Sequence, residues 1–239
     1  MDHPLKNTWE LYTGKFEQIL VLMLTTTLPL LLIHSFATNY IYAITPSFSI
    51  YSVADIYNGF LTLLLFLYAQ TPYIRFVYNE HMGKDHSLRN SIFIFLANGF
   101  TVFIFACITA FLTTIGFMLF LLPGLILLAL VFPVPYLSIF DEKSTWKSFK
   151  EGFRIGKKRF LKISLMLFLL GMVELLFGIF VTYQLFNITS SFAAQMITQM
   201  TINLLFFPFL IMWMTSLIIK WREQLETFDV SGEKSEIGV

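Results

Sequence analysis

Six long hydrophobic segments, separated by short polar stretches, run along the 239-residue chain. A helix of about 20 residues crosses the roughly 30 Å hydrocarbon layer of a bilayer, and each segment reaches that length. The pattern therefore predicts an all-α polytopic membrane bundle with six transmembrane helices, at about 18–40, 56–78, 91–114, 117–140, 161–185 and 197–219. The third and fourth segments are continuous in sequence. We place the hairpin between them at Thr113–Gly116, because glycine and small polar residues favour turns.

Composition agrees with a membrane protein. The chain is 56% hydrophobic and 13% charged, about half the charged share of a soluble domain. Its single cysteine, Cys107, excludes an internal disulfide and a thiolate metal cluster. The first hydrophobic segment is longer than the core of a signal peptide, so we expect the N-terminus to be retained. A net charge of +1 gives no indication of a nucleic-acid partner.

The cations are distributed on one side of the predicted bundle. All sixteen Lys and Arg residues lie in four regions. These are the stretch before the first segment, the region around the loop between the second and third, the region around the loop between the fourth and fifth, and the stretch after the sixth. The three remaining loops, NYIYAITPSFSIYS, TTIG and FNITSSFAAQM, contain none. By the positive-inside rule, the cation-bearing side and both termini are expected to be cytoplasmic. We therefore expect a multi-pass cell-membrane protein with this orientation.

The stretch DEKSTWKSFKEGFRIGKKRF, residues 141–160, holds seven of the sixteen cations. Trp146, Phe149, Phe153 and Phe160 recur at helical spacing, and the cations lie mostly off that face. This predicts an amphipathic interfacial helix over about 144–160, with Asp141 or Ser144 available as its cap. The cations expected to contact anionic lipid headgroups are Lys147, Lys150, Arg154, Lys157, Lys158 and Arg159. Two alternatives remain open: the cations only orient and anchor the chain, or they dock a soluble partner.

Two terminal elements are also predicted. Leu5, Trp9, Tyr12 and Phe16 indicate a second interfacial helix over about 4–16, leading into the first span. Residues 222–239, REQLETFDVSGEKSEIGV, are polar and rich in acidic residues. This composition is typical of a disordered cytoplasmic tail, which leaves 1–221 as the six-span membrane domain.

The run LLPGLILLALVFPVPYLSIFDEKSTWKSFKEGFRIGKKRF resembles a known family in about forty residues. It is similar to the membrane domain found beside some glycerophosphodiester phosphodiesterases and in related stand-alone bacterial integral membrane proteins. The matching positions are Leu122-Pro123-Gly124, Pro135, Asp141-Glu142, Phe149, Phe153, Ile155, Lys157 and Phe160; Ser148 and Gly152 keep the small size of two further positions but not their identity. The resemblance implies the membrane part alone, of bacterial origin, because the chain has no room for the catalytic barrel. It transfers no catalytic residue.

Glu174 is the acidic residue deepest within a predicted span. A carboxylate near the bilayer centre is costly, so we expect Glu174 to face the bundle and to be paired or protonated. Gly171 and Gly178 flank it and would allow another helix to approach closely. His34 in span one and Asn203 in span six are candidate partners at similar depth. Either Glu174 couples protons or binds substrate, or it is a neutral side chain hydrogen-bonded between helices.

Further polar and proline positions complete the candidate chemistry. Gln70 and Asn98 could hydrogen-bond to each other between spans two and three. Pro123-Gly124 is expected to break hydrogen bonding within span four, and kinks are expected in spans one, two and six at Pro29, Pro72 and Pro208. His81 and His86, five residues apart in a short loop, give no convincing metal site, so no metal or cofactor is predicted.

Three functions compete at this point. No nucleophile elbow, metalloprotease, phosphate-loop or phosphotransferase motif occurs, which disfavours a lipid enzyme and leads us to expect no enzymatic activity. The first hypothesis is a non-enzymatic protein that organises or assists membrane lipid- or envelope-related processes, with anionic lipids and a membrane protein as partners. The alternative is a transporter or exporter of a small amphipathic molecule or peptide, using Glu174 and a Pro-Gly-broken span four.

Overall fold

The structure, a computed structural model, describes residues 3–46, 52–189 and 191–236. Parts of two predicted outer loops, residues 47–51 and 190, and the tail residues 237–239 lie outside the described residues. The described chain is helical and contains no strand. Its elements are α1 (Pro4–Gly14), α2 (Phe16–Leu22), a π-helical turn (Met23–Thr27), α3 (Leu28–Ile44), α4 (Val53–Ala69), α5 (Thr71–His81), α6 (Ser87–Ala97), α7 (Gly99–Leu119), α8 (Leu121–Val131), α9 (Pro133–Phe140), α10 (Thr145–Lys158), α11 (Phe160–Ile188) and α12 (Phe192–Glu236).

Six stretches of this described chain are long and apolar enough to cross a membrane. They are Phe16–Ile44, Val53–His81, Gly99–Leu119, Leu121–Phe140, Phe160–Ile188 and Ala193–Leu225, and we call them spans one to six. The prediction of an all-α polytopic bundle with six spans is confirmed. The two additional helices predicted at the chain start and after span four are present as α1 and α10.

The hairpin between spans three and four differs from the prediction. Helix α7 continues to Leu119 and the chain turns at Phe120, so the placement of the hairpin at Thr113–Gly116 was wrong. Thr113 and Thr114 are buried within α7. A Cβ atom added to Gly116 would lie 2.8 Å from the Cα atom of Gly124. The small residues that suggested a turn instead allow α7 and α8 to pack closely.

The predicted third span, 91–114, is two helices in the structure. Helix α6 packs against α5, and α7 begins after a break at Asn98. Gly99 follows the break and leaves room for Tyr68, because a Cβ atom would lie 2.9 Å from its hydroxyl oxygen. The predicted hydrogen bond between Gln70 and Asn98 is absent. Both polar atoms of the buried Gln70 side chain and Nδ2 of Asn98 have no partner among the described residues.

Prolines interrupt three of the spans. In span one the π-helical turn ends at Thr27, two residues before Pro29, and a π-turn relieves the clash that proline makes with the carbonyl four residues earlier. Span two is interrupted at Gln70, just before Pro72, and span four at Phe132, just before Pro133. Helix α12 continues through Pro208 without an assigned break.

Helix α12 also extends beyond span six to Glu236. The structure therefore differs from the predicted disordered tail over residues 222–236. Contacts to other elements hold the last residues of span six: Arg222 pairs with Asp141, the Glu223 carboxylate lies 3.1 Å from His81 Nε2, and Gln224 accepts a hydrogen bond from Arg159. These anchored residues allow the helix to continue past the apolar region.

The spans are buried to very different extents. The core lies toward the cation-bearing side, where Tyr73, Phe76, Phe132, Tyr136 and Met212 are fully buried. In span four 61% of the residues in its apolar 18-residue stretch are buried inside the protein, whereas in span five 6% of them are. Within the described residues, helix α11 is therefore the span with the fewest buried residues.

Candidate functional site

The basic helix α10 packs against span four through a face of small residues. Its buried positions are Thr145, Ser148, Gly152, Ile155 and Gly156. A Cβ atom on Gly152 would lie 2.6 Å from the Cα atom of Val134, and one on Gly156 would collide with the carbonyl group of Leu130. Residues 148, 152 and 156 are spaced four apart, as in the small-residue faces that let membrane helices approach closely. Glycine is thus required for α10 to lie directly on the backbone of α8 and α9.

The aromatic rings of α10 lie on a second, largely exposed face. Trp146, Phe149 and Phe153 are 52%, 37% and 36% exposed. Phe149 and Phe153 stack with ring centroids 5.9 Å apart, and Phe105 of α7 contacts both Trp146 and Phe149 edge to face. In the described part of the chain, the ring contacts that this face receives from outside α10 come from Phe105 of α7.

Most cations of α10 are exposed. Lys147, Lys150, Arg154, Lys157 and Lys158 are exposed. The four lysines form no ion pair with any residue that the structure describes. Arg159, at the end of the helix, differs, because its Nη2 atom donates to Gln224 Oε1 of α12 at 2.8 Å. Five of the six predicted headgroup-contacting residues are therefore exposed, and the sixth also ties α10 to span six.

The loop before α10 is held by an arginine from span two. Arg75 is 1% exposed, although it carries a charge. It donates to Asn90 Oδ1 at 2.6 Å and to the Ile139 carbonyl oxygen at 3.0 Å, and its Nη2 atom pairs with Glu142. The carbonyl groups at the end of α9 form the negative end of a helix, where a cation is stabilised. Arg75 therefore joins α5, α6 and the loop at the end of span four.

A second arginine, from α12, holds the other acidic residue of this loop. Arg222 donates from Nη1 and Nη2 to the two Asp141 carboxylate oxygens, at 2.8 and 3.0 Å, and from Nε to Glu151 at 3.1 Å. Partial burial raises the pKa of Asp141, but the hydrogen bonds and charge of Arg222, helped by Lys143, outweigh this and leave the pKa below its ordinary value. The start of α10 is thus tied to spans two and six together.

The start of α10 lacks the predicted side-chain cap. Ser144 occupies the position before the helix, but neither it nor Asp141 caps the first turn. Thr145 instead donates to the Thr101 carbonyl of α7 at 3.1 Å. From the sequence, Arg75 and Arg222 were predicted only to contribute to the orientation of the chain in the membrane. The available clue to their role was the adjacent pair Asp141-Glu142 at a membrane edge, since carboxylates placed there need cationic partners.

Glu174 lies on the exposed side of α11, not inside the bundle. It borders an open groove of about 650 Å³ together with Gly171, Gly178 and Gln199. Neither predicted partner hydrogen-bonds to it: His34 bonds to Thr62 at 3.2 Å, and Asn203 accepts from Gln199 at 3.1 Å. The structure does not bring Glu174, His34 and Asn203 together into one hydrogen-bonded site.

Pro123 and Gly124 do not break span four in its interior, so that prediction was wrong. Helix α8 begins at Leu121, which places both residues in its first turn. The first N–H groups of a helix have no intrahelical acceptor, so proline costs little there. Gly124 is required because a Cβ atom would lie 2.5 Å from the Phe117 ring and 2.8 Å from its backbone nitrogen. These residues shape the tight turn between α7 and α8.

No protein-family model, curated protein sequence or solved structure matches the chain. The geometry of α10 and its two arginine ties therefore carries the functional argument.

Proposed function

We propose that this chain is a non-enzymatic membrane protein that organises or assists lipid- or envelope-related processes at the cytoplasmic face of a bacterial cell membrane. In this proposal α10 is an amphipathic interfacial helix that contacts anionic lipid. One observation carries the proposal: the helix buries its small residues against span four while its aromatic rings and unpaired lysines point outward. Rings in the acyl boundary and cations against headgroups are how such helices bind a membrane surface.

The arginine ties support the same proposal. A helix that only marked orientation would not need a buried arginine and a bidentate ion pair at its start. Arg75 and Arg222 fix the direction of α10 relative to spans two, four and six. A fixed helix presents its lysines as a constant surface, which favours a contact role over a purely topological one.

We also propose kinship with the membrane domain that accompanies glycerophosphodiester phosphodiesterases. The structure gives a physical role to several positions of the resemblance. Gly124 packs closely against α7, and Asp141 and Glu142 form ion pairs with arginines from spans six and two. Ser148 and Gly152 lie where α10 contacts span four. The transporter alternative loses one support, because Pro123-Gly124 does not break span four.

The lipid role is tested by the preference of the full-length protein for anionic lipid. Spin-labelled phosphatidylglycerol and phosphatidylcholine would be compared as probes of the lipid shell in reconstituted vesicles. We expect a preference for phosphatidylglycerol that weakens as salt rises, because surface charges are screened beyond about 8 Å at physiological ionic strength.

A matched pair of variants assigns that preference to α10. Changing Lys147, Lys150, Lys157 and Lys158 together to Gln should lower the preference strongly, because each surface cation contributes about 1 kcal/mol. Changing the same four to Arg keeps the charge and should retain it. A Gln variant that folds and keeps the full preference at low salt would refute the proposed role of α10.

A further inference from the structure

A second basic feature lies away from α10, where α2 begins and the α5–α6 loop passes over it. There the structure contains a cavity of about 420 Å³, within the size range of small-molecule sites. Three cations from separate places in the sequence line it: Lys15 between α1 and α2, Lys84 in the loop, and Arg89 in the first turn of α6. Two carboxylates, Glu80 and Asp85, also line it.

The charges of the cavity are unevenly paired. Lys15 is matched by Glu80, with its Nζ atom 2.6 Å from a carboxylate oxygen. Lys84 has no carboxylate partner in the described chain, and its ammonium nitrogen lies 5.7 Å from the centre of the Tyr78 ring. Arg89 forms neither a hydrogen bond through its side chain nor an ion pair with any described residue. Two cations therefore face the cavity without a carboxylate of their own.

Backbone donors add to these cations. Helix α6, with eleven residues, starts at the cavity wall, and no side chain caps its first turn. Its preceding residue, His86, has a φ of 57°, so the chain enters the helix abruptly from a left-handed conformation. The first N–H groups of a helix lack intrahelical acceptors and carry its positive dipole end. Ser87, Leu88 and Arg89 bring that end to the cavity.

We propose that this cavity binds a phosphate group, carried by an anionic lipid headgroup or free in solution. A guanidinium fork, an ammonium group and backbone N–H groups together form a donor set suited to phosphate oxygens. Lys84 and Arg89 make the direct contacts with the phosphate group. Lys15 adds positive charge although it is paired with Glu80, and the negative charge of Asp85 opposes binding. The site goes beyond the lipid contact proposed for α10, since it is a single concave site built from other elements.

The test measures the apparent dissociation constants of dihexanoyl phosphatidylglycerol and of inorganic phosphate by thermophoresis. It uses the full-length protein in a neutral maltoside detergent. Arg89→Ala and Lys84→Ala should each weaken binding about fivefold, because a surface cation contributes about 1 kcal/mol and 1.36 kcal/mol corresponds to a factor of ten. Asp85→Asn should tighten binding, since it removes the opposing charge. All three residues are exposed, so unfolding temperatures without ligand should change little.

Two controls separate this site from general surface charge. Lys6→Ala removes an exposed cation of α1 that lies outside the cavity, and Lys150→Ala removes one from α10. Both should leave binding unchanged, so this test does not depend on the role of α10. Binding of both probes would indicate that phosphate alone suffices, and binding of phosphatidylglycerol alone would assign the site to a lipid headgroup. Equal losses in Arg89→Ala and Lys6→Ala, an Asp85→Asn variant that binds no tighter, or no binding of either probe would overturn the proposal.

Discussion

Arg75 lies inside the protein with its guanidinium group shared among Asn90, the Ile139 carbonyl and Glu142. A buried charge is tolerated only when it is paired and hydrogen-bonded, and these partners come from two other parts of the chain, α6 and the end of span four. The sequence identified Arg75 as a cation at the edge of span two. It did not identify the partners, because Glu142 lies 67 residues away and only the tertiary fold brings the two together.

Removing Arg75 should destabilise the protein strongly. Arg75→Ala removes the donor to the Ile139 carbonyl oxygen and to Asn90 and takes away the cation paired with Glu142, and hydrogen bonds to a charged group are worth about 1.5–3 kcal/mol each. We expect a loss of several kcal/mol in the free energy of unfolding, measured in mild detergent with a chemical denaturant. Arg75→Lys should recover only part of it, since lysine keeps the charge but not the planar fork. Arg89→Ala, at an exposed arginine, is the control; equal losses at both positions would contradict the account.

The ion pair between Asp141 and Arg222 should make stability depend on pH. The pKa of Asp141 is lowered in the folded protein, so its contribution is fully present above the ordinary aspartate value of about 3.9. It is lost as pH falls through the lower, folded pKa. We expect Asp141→Asn to reduce stability at pH 7 and to flatten the decline on the acid side. Wild-type and variant unfolding curves that stay parallel from pH 7 to pH 3 would show that this pair does not contribute.

At the level of elements, the sequence predicted helices better than their ends. Apolar runs of about 20 residues predicted six spans correctly, because length and hydrophobicity determine a span locally. The hairpin was misplaced because Thr113, Thr114 and Gly116 have the composition of a turn, yet they pack inside α7. Helix α10 was predicted from its aromatic and cationic pattern. Its glycine face was missed, because the prediction was argued from the aromatic and cationic residues and assigned Gly152 and Gly156 no packing contact.

The glycine face of α10 gives an element-scale prediction. Gly156→Ala should force the helix away from span four, because the added carbon would collide with the Leu130 backbone. Overpacking of this kind costs about 1–3 kcal/mol, which unfolding measurements would detect. Gly171→Ala in α11 is the matched control, because nothing lies within 4 Å of its added carbon. There, alanine should be neutral or slightly stabilising, since it favours helix by about 1 kcal/mol. Identical effects at the two glycines would refute the close packing of α10.

At the scale of the whole molecule, the protein combines a packed body with one largely uncovered span. In span five 6% of the residues in the apolar 18-residue stretch are buried, against 33% to 61% in the other spans. Glu174 lies on that uncovered span, although the sequence predicted that it would face the bundle. The prediction treated span five as an ordinary bundle member, and periodicity alone does not show which helices a fold leaves at its margin. The packed body is tied together instead at its cation-bearing side, around the start of α10.

The position of α10 at the membrane is the central claim, and one measurement tests it most directly. Spin labels would be placed singly at residues 150 and 153, in a Cys107→Ala background, and probed in sealed vesicles of known orientation with a water-soluble relaxation agent. We predict that the label at 150 is reached only from the cytoplasmic side, while the label at 153 is shielded at the acyl boundary. Access from the opposite side, or equal and full access at both positions, would contradict the account.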